Sequence, residues 1–283
     1  MNRLFGCYLL LSGLALLGPH RPASWPLLAA AHLVLAALAF ALPHGASSQR
    51  GSLARWLGDF YPLLVMPLLY AELPLLNQAL LGGGYFDDLV IGWERALFGG
   101  APAREFAAAA PWPWLSEPLH AAYISYYPII YAPPLLIAWR SGHEAAREAV
   151  FTLSFVFFAH YLFFVYFPVE GPRYRFAAPG GAIADWPAYR LAHALLEAGS
   201  SRGAAFPSSH VAVSIATTVV CWRRLRALTP LVALLTIGLA VGAVYGGFHY
   251  AIDVVAAAVL GLLLALAAPA LQRRLERAPG GGA

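Results

Sequence analysis

Between Leu228 and Leu271 the chain runs for more than forty residues with a single formal charge, Asp253. As one α-helix this stretch would reach roughly 65 Å at about 1.5 Å per residue, twice the hydrocarbon thickness of a bilayer. It therefore has to break, and Gly246 and Gly247 in "YGGFHY" offer the place. Further apolar runs at 4–18, 25–42, 60–81, 118–139, 148–167 and 206–222 join the two halves, 228–248 and 250–270. With 60% hydrophobic residues, 11% charged and a mean hydropathy of +0.65, the composition excludes a soluble globular domain. The expected fold is all-α, a polytopic membrane helix bundle of about eight transmembrane helices. We expect a single integral membrane domain over 1–283. Its 1–147 part holds N-terminal helices and an interfacial segment, and its 148–271 part holds the helix core that carries the polar motifs.

Arginine in the short loops sets the orientation. Arg223, Arg224 and Arg226 separate the sixth and seventh spans, and Arg273, Arg274 and Arg277 follow the eighth. Arg140 and Arg147 lie between the fourth and fifth, and Arg50 and Arg55 precede the third. Counted from span to span these fall on one side, which the positive-inside rule makes cytoplasmic, with both termini. The segments 82–117 and 168–205 and the "GGFHYAID" turn then face outward. The N-terminal run "LFGCYLLLSGLALLG" reads as the first span, because no small-residue cleavage site follows it. The outer stretch "YFDDLVIGWERALFGG" reads as an interfacial helix, its apolar residues interleaved with acids at helical spacing. The tail "APGGGA" reads as disordered.

All eighteen basic residues are arginine, and no basic tract or recognition motif points to nucleic acid. Cys7 and Cys221 both lie in apolar runs and read as small core residues. Cofactor motifs are absent, and nothing in the sequence indicates an oligomeric state.

The chemistry is concentrated in three outer segments at one membrane depth. "FPVEGPRYRF" offers Arg173 and Arg175, "FPSSH" offers Ser208, Ser209 and His210, and "FHYAID" offers His249 and Asp253. If a helix begins just after Gly247, His249 and Asp253 are i and i+4 on one face. The carboxylate can then fix the imidazole tautomer and raise the nucleophilicity of the other nitrogen. In "FPSSH" the proline suits a helix start and the serine a cap, leaving backbone N–H groups at a helix N-terminus, an anion site. Arginine adds a fork for phosphate oxygens, and His210 is placed to protonate a leaving oxygen.

"PSSH" followed by "HYAID" resembles the second and third signature motifs of the type 2 phosphatidic acid phosphatase superfamily, metal-independent membrane enzymes that act through a phosphohistidine. The resemblance covers roughly the C-terminal half, from Phe167. It implies His249 as nucleophile, Asp253 as its orienting partner and His210 as general acid. It further implies Ser208 with the Ser209 backbone as a phosphate cradle, no metal and no cofactor. The usual first motif opens with a lysine and closes with an arginine-proline pair, where this chain has "EGPRYR". Six positions before His249, where the third motif carries an arginine, stands Ala243. Together with "DDLVIGWERALFG", the pattern is more similar to the branch that includes the inositol phosphorylceramide synthases. That branch contains lipid phosphotransferases, which implies a lipid phosphate substrate and an alcohol or lipid acceptor; the arginine topology puts the site at the outer face of the cell membrane.

Other readings stay open at this point. His210, His249 and Asp253 have the composition of a zinc-like ligand set, although the serines and arginines around them suit an anion better. A lipid flippase or transporter would also need many spans, yet transporter sites lie near the midplane between repeats, and no repeat is visible. A catalytically inactive lipid-phosphate-binding protein would need the same polar residues. Glu170 and Arg202 are weaker candidates. His120, Tyr126 and Tyr127 fit a lipid cleft, with an aromatic belt as the plainer account of the tyrosines. His160, in mid-span, is expected to bond a neighbouring helix.

Overall fold

A computed structural model describes residues 1–41 and 52–277; Arg50 and the tail 278–283 lie outside the described residues. Among the described residues the protein is helical, with no strand beyond an isolated parallel bridge between Val169 and Ala204. The helices are α1 Asn2–Gly13, α2 Trp25–Ala41, α3 Ser52–Leu81, α4 Asp87–Phe98, α5 Pro102–Ala109 and α6 Pro113–Ile124. They continue with α7 Tyr126–Tyr166, the single turn α8 Pro172–Arg175, α9 Pro187–Gly199, α10 Ser209–Arg224, α11 Thr229–Tyr245 and α12 Ala251–Arg277. The expected apolar runs fall on helices, the 118–139 run being divided between α6 and α7 at Ser125 and residue 42 lying outside the described residues. By length and composition, 4 helices are able to cross a membrane: Leu53–Leu81, Tyr126–Tyr166, Arg226–Tyr245 and Ala251–Arg277. Asn2–Leu17 and Trp25–Ala41 are apolar but shorter.

Two breaks make this arrangement possible. α7 is nominally 41 residues long, but Gly142 (φ 84°, ψ 171°) leaves helical geometry and divides it in two. The second break is the expected one. Gly247 has φ 68°, and the amides of Phe248 and His249 both turn back to the Ala243 carbonyl, at 2.9 and 3.0 Å. A Cβ on Gly246 would sit 2.4 Å from the Phe248 ring, so the turn is closed by an aromatic side chain that only glycine admits. The position that lacks arginine, Ala243, is fully buried and serves the turn through its carbonyl.

α10 is the centre of the bundle, packed against α7, α11 and α12. It approaches α12 closely because α12 presents Ala257, Gly261 and Ala265, four residues apart and buried. A Cβ on Gly261 would lie 2.7 Å from the Ala212 Cα of α10. Small residues at such spacing let helix backbones meet, the packing available to helices in lipid. Large aliphatic side chains elsewhere, such as Leu33 and Val34 on α2, Leu234 and Ile237 on α11 and Leu263 on α12, face outward. Water would oppose that exposure; hydrocarbon does not.

The arginine-bearing segments around 140–147, 223–226 and 273–277 share one end of the bundle. Arg224 at the end of α10 pairs with Glu148 just past the α7 break, and Arg3 Nη1 donates to the Leu275 carbonyl at 2.7 Å. The N-terminal helix and the end of α12 therefore lie together. At this end Asp59 of α3 accepts from His143 Nδ1 at 2.6 Å, with Arg147 Nε 3.7 Å away. Two sequence expectations need correction. Cys7 is exposed, not a core residue, while Cys221 is buried, and both thiols are free. His160 bonds the Val156 carbonyl of its own helix at 2.7 Å, not a neighbouring helix, because an i−4 carbonyl lies within reach of the ring.

Candidate active site

The opposite end gathers the motif residues. α10 starts with Ser208 as its N-cap, the hydroxyl accepting from the Val211 amide at 3.4 Å. The Ser208 amide donates to the Asp253 carbonyl at 3.2 Å, so the starts of α10 and α12 are tied by their backbones. A second tie joins the outer loops: Val169 donates to the Gly203 carbonyl at 3.1 Å, and Ala205 donates to Val169 at 2.9 Å. Three segments far apart in sequence thus form one frame.

Within it His249 Nδ1 lies 3.3 Å from Asp253 Oδ2, the i,i+4 pair read from the sequence. The same oxygen accepts from the Tyr250 amide at 2.8 Å, and with Asp253 as a carboxylate the imidazole tautomer that bonds it carries its proton on Nδ1. Burial pushes the His249 imidazole down to about 4, opposed in part by the Ala205 backbone nearby. The ring is therefore neutral at physiological pH. The His210 ring centroid stands 5.8 Å from that of His249. It is packed on Tyr126 at 4.1 Å and, nearly parallel, on Tyr123 at 5.4 Å, and its Nδ1 has no hydrogen-bond partner. Ser208, Ser209 and Asp253 are buried beside this pair.

The two arginines separate. Arg173 is fixed by donation from Nη1 to the Leu196 carbonyl at 2.9 Å and to Ser200 Oγ at 2.5 Å, both at the end of α9. It lines a pocket of about 100 Å³ with His193, Gly246, Gly247 and Phe248, the residues that lead into His249. Arg175 lies outside the cluster, half-exposed and paired with Asp88. Glu170 and Arg202 pair with each other, and the Arg202 guanidinium lies over the Tyr85 and Tyr174 rings.

Several residues enter that the sequence did not single out. Two acids of α4 do not face water. Asp87 and Glu94, seven residues apart on one face, are 1% and 2% exposed. Asp87 accepts from the Glu170 amide at 2.8 Å, the Gly171 amide at 3.0 Å and the Tyr250 hydroxyl at 2.9 Å. Glu94 accepts from the Ile252 amide in the first turn of α12 at 3.5 Å, and burial raises its pKa. The i,i+7 spacing of the two acids was the available signal, since it puts both on one helical stripe. His193 and His120 form a second imidazole pair at 5.8 Å, both packed on Phe248. Burial, then the His120 ring and Arg173, push His193 down to about 4. His120 was foreseen as cleft-lining, and it is fully buried.

The arrangement combines a neutral oriented imidazole, a second imidazole, a helix N-terminus and a fixed guanidinium. It suits nucleophilic displacement at an anionic centre. Among the described residues no three His, Cys, Asp or Glu side chains converge as a set of metal ligands.

A model of the PAP2 superfamily matches residues 88–267, well over half of the chain, including the segments that carry His210, His249, Asp253, Arg173 and the serines. No curated protein matches the chain, and no solved structure does.

Proposed function

The chain belongs to the PAP2 superfamily, whose chemistry is phosphatase or phosphotransferase action on phosphate esters, and from that premise we propose a metal-independent lipid phosphatase or phosphotransferase acting through a phosphohistidine. His249 Nε2 attacks phosphorus while the bond from phosphorus to the leaving oxygen breaks. His210 gives its proton to that oxygen. Water or an acceptor alcohol then attacks the phosphohistidine, His210 takes the proton of the incoming hydroxyl, and His249 is released. Asp253 holds the His249 tautomer, and Ser208, the amides at the start of α10 and Arg173 hold the phosphoryl oxygens. Arg175, paired with Asp88 at the surface, acts on the approach of the anionic headgroup.

The observation that carries this reading is the buried His249–Asp253 pair facing His210 at the α10 N-terminus. The lipid substrate is supported by the outward aliphatic surface of α11 and α12, the two helices that flank the site. The resemblance to the inositol phosphorylceramide synthase branch supports transfer to an alcohol beside hydrolysis. The catalytic core of 148–271 is completed by α4 from the 1–147 part, whose Asp87 accepts from the 170–171 loop and whose Glu94 accepts from the first turn of α12.

The test is purified protein in detergent with a panel of lipid phosphates and EDTA, reading phosphate release and new phosphodiesters. Turnover resistant to chelation is expected. Binding of the same lipids without turnover would favour an inactive lipid-binding protein, and lipid movement across vesicles without product a transporter. We assign the site to the extracytoplasmic face of a multi-pass cell-membrane protein. A cysteine at exposed Ala182 should react with an impermeant thiol reagent on intact cells, and one at exposed Ala227 should not, in a background with Cys7 replaced. The opposite labelling would move the site to the cytoplasm.

A further inference from the structure

At the end of the bundle away from the imidazoles, a cavity of about 400 Å³ opens between the C-terminal ends of α10 and α12 and the part of α7 just past Gly142. Its polar lining includes Arg223, Arg224, Arg273, Glu148 and Glu276. Both carboxylates are engaged: Glu148 with Arg224, and Glu276 by donation from Gln272 Nε2 at 3.0 Å. Arg223 has a structural task. Pro269 has no amide hydrogen, so the Ala265 carbonyl four residues earlier lacks its helical donor, and Arg223 Nη1 reaches it at 3.4 Å. Arg273 has no ion pair or hydrogen bond among the described residues, and Arg223 keeps donors in reserve. With Arg224 given to Glu148, the cavity keeps two guanidiniums, Arg223 and Arg273, against the Glu276 carboxylate.

Its surroundings decide what kind of anion fits. About two to three turns before Arg273, α12 presents Leu262, Leu263 and Leu266 outward, 43%, 58% and 54% exposed. Trp222, beside Arg223, is 63% exposed with the Arg226 guanidinium 5.7 Å from its ring. An exposed tryptophan beside a cluster of arginines marks the level of lipid headgroups. A basic cavity between helices at that level suits an anionic headgroup.

We propose that this cavity binds the phosphate of an anionic phospholipid, with an acyl chain lying along the Leu262–Leu266 stripe of α12. The site is separate from the imidazole cluster and does not depend on the reaction assigned there.

Native mass spectrometry of the full chain in neutral detergent tests it, with phosphatidylglycerol or phosphatidylcholine added. Wild type and Arg274→Gln, whose side chain does not line the cavity, should retain phosphatidylglycerol over phosphatidylcholine. Arg273→Gln should weaken that binding roughly fivefold, the effect of one basic residue near an anionic surface. Equal retention of both lipids, unchanged binding by Arg273→Gln, or an equal loss in Arg274→Gln would overturn the site. Displacement of phosphatidylglycerol from wild type by millimolar inorganic phosphate would overturn the lipid assignment in favour of a free anion.

Discussion

The Tyr250 hydroxyl donates to Asp87 Oδ1 at 2.9 Å while the Tyr250 amide donates to Asp253 Oδ2 at 2.8 Å, so one residue links the α4 acid to the partner of His249. Asp87 spends both oxygens on three donors, and asparagine has only one acceptor oxygen. Asp87→Asn should leave at least one buried donor unsatisfied and cost about 1–3 kcal/mol of stability. We expect a lower melting temperature in detergent together with a reduced kcat at little-changed KM. Tyr250→Phe, which removes one of the three donors, should have the smaller effect on both.

The two imidazoles should respond differently to the leaving group. His210→Ala should slow turnover of an alkyl phosphate by roughly 10²–10⁴-fold and that of an activated aryl phosphate far less, because only the poor leaving group needs a proton. His249→Ala should abolish turnover of both, and wild type quenched during turnover should carry an acid-labile phosphate on His249. Substantial activity of His249→Ala with the aryl ester would point to direct attack by water; label trapped on His210 would exchange the two roles.

The pH dependence follows from burial. A depressed pKa keeps an imidazole neutral to lower pH, so His249 retains its lone pair down to about 4, where a solvated histidine would lose it below about 6.5. With an activated ester, and after correction for the ester's own ionisation, kcat/KM should stay level from pH 7 to 5. It should fall as pH drops through about 4. An acid limb near 6.5 would mean that the nucleophile is solvated.

Gly261 sets the distance between α10 and α12, which carry His210 and the His249 turn. A methyl there would meet the Ala212 backbone, 2.7 Å from Cα and 2.8 Å from the carbonyl oxygen, and backbone yields less readily than a side chain. Gly261→Ala should therefore destabilise by about 1–3 kcal/mol through overpacking. Separation of the helices should also lower kcat, measured beside the melting temperature in detergent.

The sequence by itself determined the all-helical class, the break at Gly246 and Gly247 and the His249–Asp253 pairing. Each depends on spacing along one segment: hydrocarbon thickness limits the length of a run, glycine permits the turn, and i,i+4 residues share a helical face. Arginine spacing likewise foretold that the loops around 140–147, 223–226 and 273–277 share an end, as the Arg224–Glu148 pair joins two of them. Tertiary structure alone decided which polar side chains turn inward. Arg173 and Arg175 are two residues apart in one turn, yet Ser200 and the Leu196 carbonyl hold the first in the pocket while Asp88 holds the second at the surface. The acids of α4 read as part of an interfacial helix, and Asp88 is exposed, but unpaired amides at 170, 171 and 252 needed acceptors, and Asp87 and Glu94 supply them from the buried side. A backbone donor left without a partner by a distant loop leaves no mark on the periodicity of the helix that satisfies it, so only the assembled bundle reveals the match.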